Sequence, residues 1–516
     1  MTFTWLLTLI FTTALPAQSG ELLYRIDGPH TSAASGGALA GIGDINGDGI
    51  GDLLIGGDQY MTYGSASAQV ISGADGSVLH TWAGLHNAEA VAAAGDVDGD
   101  GTPDVIIGSI WTNFSAGEAQ VFSGSTGTLL HTFQGLGGDD YLGNAVAGAG
   151  DVNGDGFADL LVGAWGESAV TSFSGVAYLY SGADGSVLRK YLGQVDHGYF
   201  GCAVAGLGDV DGDGVPDQLV GEVGNTTFGY NTGAAYVFSG ATGALIHSWF
   251  GPHNNSRFGD SLAALEDVDG DGISDCIIAA SFQNPTGTAH VFSGATGSLI
   301  YELTGYDPDE VFARSVASGG DSDGDGVNDI VVGSDRYFVP GGFTGMARIF
   351  SGATGREIQR FYPESVDGRC GVAVCGVGDW NADGLADYAV GAPTEAFNGY
   401  RSGSVYILSG QRQGFLFTVQ NYGPGDFAIF YLQGGTPQGR AIMAYSLAGG
   451  GPTSSPYGEL ALSPPFQTLP PLTLDALGNG EITKYLPHAI AGTTIWTHAL
   501  DVSSGNLSNP HPLRVY

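Results

Sequence analysis

The stretch Asp209-Val-Asp-Gly-Asp-Gly-Val-Pro-Asp217 decides the fold. Its aspartates stand at positions 1, 3, 5 and 9, with glycine at 4 and 6. The same phrase, D-x-[DN]-[GA]-D-G-x-x-D, starts at Asp44, Asp96, Asp151, Asp209, Asp267, Asp321 and Asp379. A phrase that returns every 52–58 residues marks a repeat architecture and not a string of unrelated domains.

Working outward, each copy sits in a fixed frame. A small-residue apolar stretch precedes it, as in Tyr199-Phe-Gly-Cys-Ala-Val-Ala-Gly-Leu-Gly208, and a short apolar run follows, such as Leu160-Leu-Val-Gly163 or Ile330-Val-Val-Gly333. A third run ends in Ser-Gly, as in Ala235-Tyr-Val-Phe-Ser-Gly240. After an Ala-Thr-Gly or Ala-Asp-Gly turn comes a fourth run, such as Ala244-Leu-Ile-His-Ser-Trp249. Short β-branched or aromatic runs bounded by Gly, Asp and Ser are strand signals. Four strands per unit and seven units predict an all-β, seven-bladed β-propeller over residues 20–410. The 89 glycines fit: the inner strands crowd a central channel and the turns need positive φ. A fourth-strand phrase also stands before the first unit, and the last unit ends at Ser409-Gly410 without its turn. Glu21–Ile26 is therefore expected on the outer edge of blade seven, closing the ring and covering an unpaired edge.

This pattern resembles the FG-GAP repeats of integrin α-subunit propellers and their bacterial relatives. The FG stands as Phe200-Gly201 and Phe258-Gly259, and as Leu142-Gly143 in degenerate form. The GAP is complete at Gly391-Ala392-Pro393 and altered at Gly163-Ala164-Trp165 and Gly333-Ser334-Asp335.

The aspartate spacing is a metal-ligand spacing. In a tight loop the side chains at positions 1, 3 and 5 converge, position 7 offers a carbonyl, and an acid at position 9 closes the shell. An EF-hand opens the same way and places its closing acid at 12. Hard oxygen donors suit Ca²⁺ and not zinc or copper. The expected ligands are Asp44, Asn46, Asp48, Ile50 and Asp52 in the first loop, Asp96, Asp98, Asp100, Thr102 and Asp104 in the second, and Asp151, Asn153, Asp155, Phe157 and Asp159 in the third. They continue as Asp209, Asp211, Asp213, Val215 and Asp217, then Asp267, Asp269, Asp271, Ile273 and Asp275. The last two loops bring Asp321, Asp323, Asp325, Val327 and Asp329, then Asp379, Asn381, Asp383, Leu385 and Asp387. Up to seven ions are expected, one per blade, with the weakest site where Ala382 replaces the glycine. The resemblance implies that such ions staple the inner hairpins.

The chain of 516 residues carries 53 acidic against 15 basic side chains, a formal charge of -38, and 25 of the acids lie in the seven loops. That surface argues against nucleic acid as a partner. A 43% apolar content excludes an acidic disordered chain. Residues 1–19, with Phe3 to Leu15 mostly apolar, read as a secretory signal, predicting export to the medium or cell surface. The run is too short to span a membrane, so no transmembrane segment is expected in the mature chain. Cys202, Cys276, Cys370 and Cys375 form no metal-site spacing and read as buried free thiols.

The opposite ends of the blades carry large aromatics in the loops between second and third strands: Tyr60, Tyr63, Trp111, Phe114, Trp165, Phe173, Phe228, Tyr230, Phe282, Tyr337, Phe338, Phe397 and Tyr400. Loops normally avoid such groups, so a ligand face is expected there, against the alternative that the rings cap each blade. No catalytic motif occurs, and no enzyme is expected. His80, His131 and His247 read as exposed or packed residues of fourth strands. Residues 415–516 lack the repeat and read as a small β-sandwich-like domain of short apolar runs between Pro and Gly clusters. The expected function is an exported calcium-binding propeller that binds an extracellular protein or glycan. A lectin-like module and a propeller-type polysaccharide lyase are the alternatives. Composition does not fix the oligomeric state.

Overall fold

The computed structural model describes most of residues 22–411, and beyond that only the backbone of ten strands. Residues 1–21, 30–31, 58–65, 86, 283–285, 306–309, 340–341, 364 and 366 lie outside the description, and with them the signal sequence, Tyr60 and Tyr63. The chain divides into two units, one ending at Gly410 and one starting at Gln411.

The first unit is a seven-bladed β-propeller. Each blade is a four-stranded antiparallel meander; blade three runs Leu142–Gly150, Asp159–Ala164, Val176–Tyr180 and Val187–Leu192. The first strand of each blade lies against the first strand of the next, and that of blade seven against that of blade one. Second strands such as Asp159–Ala164 and Asp217–Glu222 are buried at every residue, since neighbouring blades cover both faces. This is why they read as unbroken apolar runs instead of alternating ones. The core is accordingly shared between blades: Ile106, Val121 and Phe133 of blade two pack with Leu160, Val162 and Tyr178 of blade three.

The ring closes as expected, one residue displaced. Leu22–Asp27 pairs antiparallel with Ser404–Leu408, from Leu22 opposite Leu408 to Asp27 opposite Ser404. Leu23 and Ile26 pack on the core between blades seven and one. The FG-GAP glycines also have a physical reason. A Cβ on Gly163 would lie 2.0 Å from the carbonyl oxygen of Gly201 in the next blade, and one on Gly391 2.0 Å from that of Gly36. Blades touch there backbone to backbone, and only glycine permits it.

A second set of ties runs from the fourth strands of blades one to five to the Ser-Gly corner of the next blade. His80 Nε2 meets the Gly124 carbonyl at 2.7 Å, His131 that of Gly182 at 2.6 Å and His247 that of Gly294 at 2.7 Å. Arg189 Nη1 donates to the Gly240 carbonyl at 2.6 Å, and the Tyr301 hydroxyl to that of Gly352 at 2.7 Å. The fourth-strand histidines are thus half-buried latches between blades, the packed of the two expected alternatives. Since the carbonyl only accepts, each ring holds its proton on Nε2.

All four cysteines are free, three of them buried, and burial raises the thiol pKa of Cys202 and Cys375 to about 12. The strands of the second unit form an antiparallel sheet of three, one of five and a separate hairpin, so its described residues are all strand.

Candidate metal loops and the opposite loop face

Each Asp-Gly phrase forms the hairpin loop between first and second strands. In blade one, Asp44 Oδ1 accepts the N–H groups of Gly47 at 2.7 Å and Asp48 at 3.1 Å, and Oδ2 accepts that of Gly49 at 2.7 Å. Asn46 Oδ1 accepts from Asp48 and Asp48 Oδ1 from Ile50. The bonds recur nearly unchanged in the other loops, as at Asp209 and Asp213. The backbone donors, that of Gly49 foremost, hold the Asp44 carboxyl below its usual range.

The ninth residue does something its position in the motif does not reveal. Asp52, Asp104, Asp159, Asp217, Asp275, Asp329 and Asp387 are all completely buried. Asp217 Oδ2 accepts the Val210 N–H at 2.8 Å and Oδ1 that of Gly240 at 2.8 Å, so one carboxylate ties the loop to the Ser-Gly corner of the third strand. Asp52 does the same with Ile45 and Gly73, and Asp387 with Trp380 and Gly410. The ninth aspartate is therefore a strut as well as a ligand candidate. The serine of that corner joins in: Ser72 Oγ donates to Asp48 Oδ2 at 3.3 Å, and Ser409 Oγ to Asp383 Oδ2 at 3.3 Å.

Four loops bring three carboxylates together with ligand oxygens within 4.8 Å of one another: Asp96, Asp98 and Asp104; Asp209, Asp211 and Asp217; Asp267, Asp269 and Asp271; Asp321, Asp323 and Asp325. A carboxylate oxygen that accepts one N–H keeps a lone pair for an ion. The donors are oxygens throughout, so these acidic clusters fit a hard divalent cation, which would supply the charge that their mutual repulsion lacks. The repulsion is visible in the acids themselves. Burial first, then Asp329 and Asp325, push the Asp323 carboxyl up to about 7. Burial raises Asp104, Asp275, Asp329 and Asp387 to about 6.

Those shifts give the metal-free chain a definite pH dependence. A folded-state pKa above the ordinary 3.8 means that the native state holds its proton more tightly than the unfolded state. The resulting stability is complete below about 3.8 and is lost as pH rises through about 6 to 7. The melting temperature of the chelated protein is expected to fall between about pH 4 and pH 7. Calorimetry in a chelating buffer checks this, and a rise over that range would contradict it. With cation bound the trend should flatten or reverse, because protons then compete with the ion.

The seventh loop departs from the others in backbone as well as sequence. Ala382 sits at φ 57°, where Gly47, Gly154 and Gly270 sit at 77°, 75° and 82°. A side chain in the left-handed region costs about 1 kcal/mol, so Ala382→Gly is expected to stabilise the protein by about that amount. An unchanged or lowered denaturation midpoint would count against the strain.

At the other end of the blades the loop aromatics separate into two kinds. Phe114, Phe228, Tyr400 and Tyr230 are 95%, 71%, 67% and 65% exposed. Others are partly covered: Tyr337 packs on Tyr362 at 5.4 Å, Arg25 lies over Phe397 at 3.9 Å and Arg257 over Phe282 at 4.9 Å. The Phe338 side chain lies outside the described residues. Blades two to four carry a continuous strip. Trp111 meets the edge of Tyr141 at 6.0 Å, Tyr141 stacks on Trp165 at 4.3 Å with 5° between planes, and Trp165 meets Tyr199 edge-on at 5.3 Å. Phe173 and His197 extend it at 5.5 Å from one another. Tyr141 and Tyr199 were missed in the sequence, although each directly precedes an FG-like pair and so marks the entrance to a first strand.

Acids on this face, the half-buried Glu167 and the buried Glu222 and Glu395, are held by tyrosine hydroxyls. Tyr178 donates to Glu167 at 2.6 Å, Tyr236 to Glu222 at 2.7 Å, and Tyr406 to both oxygens of Glu395 at 2.9 Å. No helix among the described residues is long and apolar enough to cross a membrane.

Comparison with known proteins agrees with the fold. Residues 142–180, which span most of blade three, match the FG-GAP repeat. The chain is 31% identical over 206 residues to Integrin alpha-5 of Xenopus laevis, which covers 36% of this chain and 19% of that protein. It is 28% identical over 254 residues to Integrin alpha-PS2 of Drosophila melanogaster, covering 43% and 17%. The solved Dos1 propeller aligns with 77% of this chain and 97% of its own, at 12% identity and a TM-score of 0.42. The fold is a β-propeller, and its repeat resembles the FG-GAP repeat and the matched parts of integrin α-subunits. The chain spans under a fifth of the length of the two integrin subunits, so the resemblance extends to a propeller and not to a whole subunit.

Proposed function

We propose that this chain is an exported, Ca²⁺-loaded propeller that binds an extracellular protein or glycan and performs no chemistry on it. The observation that carries the reading is the aromatic strip from Trp111 through Tyr141 and Trp165 to Tyr199, on the face opposite the aspartate loops. Aromatic rings at a loop surface supply binding area at low conformational cost. The integrin relatives support a binding role, and the acidic clusters support calcium as a structural ion, up to one per blade. A non-enzymatic role accords with the buried Glu222 and Glu395 of the loop face, which tyrosine hydroxyls engage. The apolar leader-like start of the chain supports export. A lectin-like version has one specific observation in favour: the nearly parallel Tyr141–Trp165 stack, a geometry suited to the flat face of a sugar ring.

An array of glycans and extracellular proteins, probed with and without EDTA, tests the reading, and a pair of variants locates the site. Trp111→Ala should leave the melting curve nearly unchanged and weaken binding by about 30-fold, equivalent to about 2 kcal/mol at a hot spot. Asp213→Ala should lower stability and cation stoichiometry while sparing affinity. If Trp111→Ala unfolds the protein and leaves affinity per folded molecule intact, the aromatic strip is packing and the proposal fails.

A further inference from the structure

Away from the strip, the loop face has a cleft of about 530 Å³ between blades six and seven, within the range of ligand clefts. Arg336, Arg369 and Arg401 line it, with Asp335, Asp367 and the rings of Phe343 and Tyr400. This is an unusual use of charge. The chain has 15 basic residues against 53 acidic, yet three arginines meet at one cleft, where they outnumber the carboxylates. Arg369 is held by Asp335 at 2.5 Å. Among the described residues Arg336 and Arg401 have no ion pair, and Arg401 lies 5.4 Å over the exposed Tyr400 ring.

The walls are pinned from three segments. The Tyr400 and Arg401 carbonyls accept the N–H groups of Ser32 at 2.8 Å and Ala34 at 3.0 Å. The Asp367 N–H donates to the Phe343 carbonyl at 2.6 Å, tying the blade-six hairpin Phe338–Val339/Gly342–Phe343 to the connection into blade seven. The guanidinium groups are thus presented from a braced backbone.

We infer that this cleft binds an acidic sugar unit, its carboxylate on Arg336 and Arg401 and its ring against Tyr400. Planar guanidinium forks match a carboxylate. The exposed ring of Tyr400 offers a face to the C–H side of a sugar, and Asp335 and Asp367 offer acceptors for hydroxyls. An acidic peptide would use the arginines and leave those acceptors facing like charge. The overall charge of -38 repels anions in general, so binding here is a local property of the cleft. The inference concerns another part of the same loop face, to which Tyr400 belongs, and does not depend on the strip, because no residue of the strip takes part.

Titration calorimetry of the full chain in calcium buffer tests it with cellobiouronate, a glucuronate-terminated disaccharide, against cellobiose, which lacks the carboxylate. Saturable binding of the uronate is expected, about tenfold or more tighter than cellobiose, as charge-assisted hydrogen bonds give. Arg336→Gln/Arg401→Gln should abolish that preference with an unchanged melting curve. Should the double variant melt lower, Arg336→Gln alone carries the test, since that side chain is exposed. Trp111→Ala should leave uronate binding intact, so loss of binding there would move the site to the strip. No saturable uronate binding, equal binding of cellobiose, or unchanged preference in the arginine variants would overturn the inference. So would tighter binding of hexaglutamate, which would assign the cleft to an acidic peptide.

Discussion

Chelation of divalent cations is expected to lower the melting temperature of the purified chain by roughly 10–20 °C, extrapolating from the shift per kcal/mol known for smaller domains. An ion that binds only the native state stabilises it by about 2.7 kcal/mol at a hundredfold excess over its dissociation constant. Four clusters with converging oxygens would together contribute about 11 kcal/mol on that basis. Removal also leaves repelling carboxylates at the ends of the innermost hairpins, the parts that line the ring. Re-addition of Ca²⁺ should restore the curve and Na⁺ at equal ionic strength should not. Melts with and without EDTA measure it, and coincident curves would show that the loops are held by their hydrogen bonds alone.

Removal of the closing strand should have an effect of similar size by a different route. Deleting residues through Asp27 strips Ser404–Leu408 of its partner and takes Leu23 and Ile26 from the core between blades seven and one. An open, apolar strand edge recruits other chains. The truncated protein is expected to run as aggregates in light scattering coupled to size exclusion, or to melt over a broadened transition. A monomer with the parent melting curve would mean that the ring does not need this strand.

How far the sequence could be read follows from how local each signal is. The seven hairpin loops and the spare first strand were legible because each is a contiguous phrase with a fixed frame, and the closing strand lies one residue from its expected place. The latches were not. His80 meets Gly124 and His131 meets Gly182, partners in the next repeat that a histidine in a strand does not announce. The ninth aspartates read as ligands because the motif counts carboxylates. It does not say which lone pairs the backbone already uses, and Asp217 spends one on Val210 and one on Gly240. Tyr141 and Tyr199 carry a weaker signal, because these rings enter the strip from the connections between blades and not from the loops between second and third strands. The small hairpin Phe338–Val339/Gly342–Phe343 had no signal beyond an aromatic loop, and it supplies a wall of the arginine cleft.

The proposed function stands or falls with the aspartate loops acting as cation sites that hold the propeller together. Equilibrium dialysis of the chelated chain against ⁴⁵Ca²⁺ counts those sites directly. Several ions per chain are predicted, approaching seven at saturation, with the loop of Ala382 filling last and Ala382→Gly tightening it. No calcium bound above background at millimolar concentration would contradict the account.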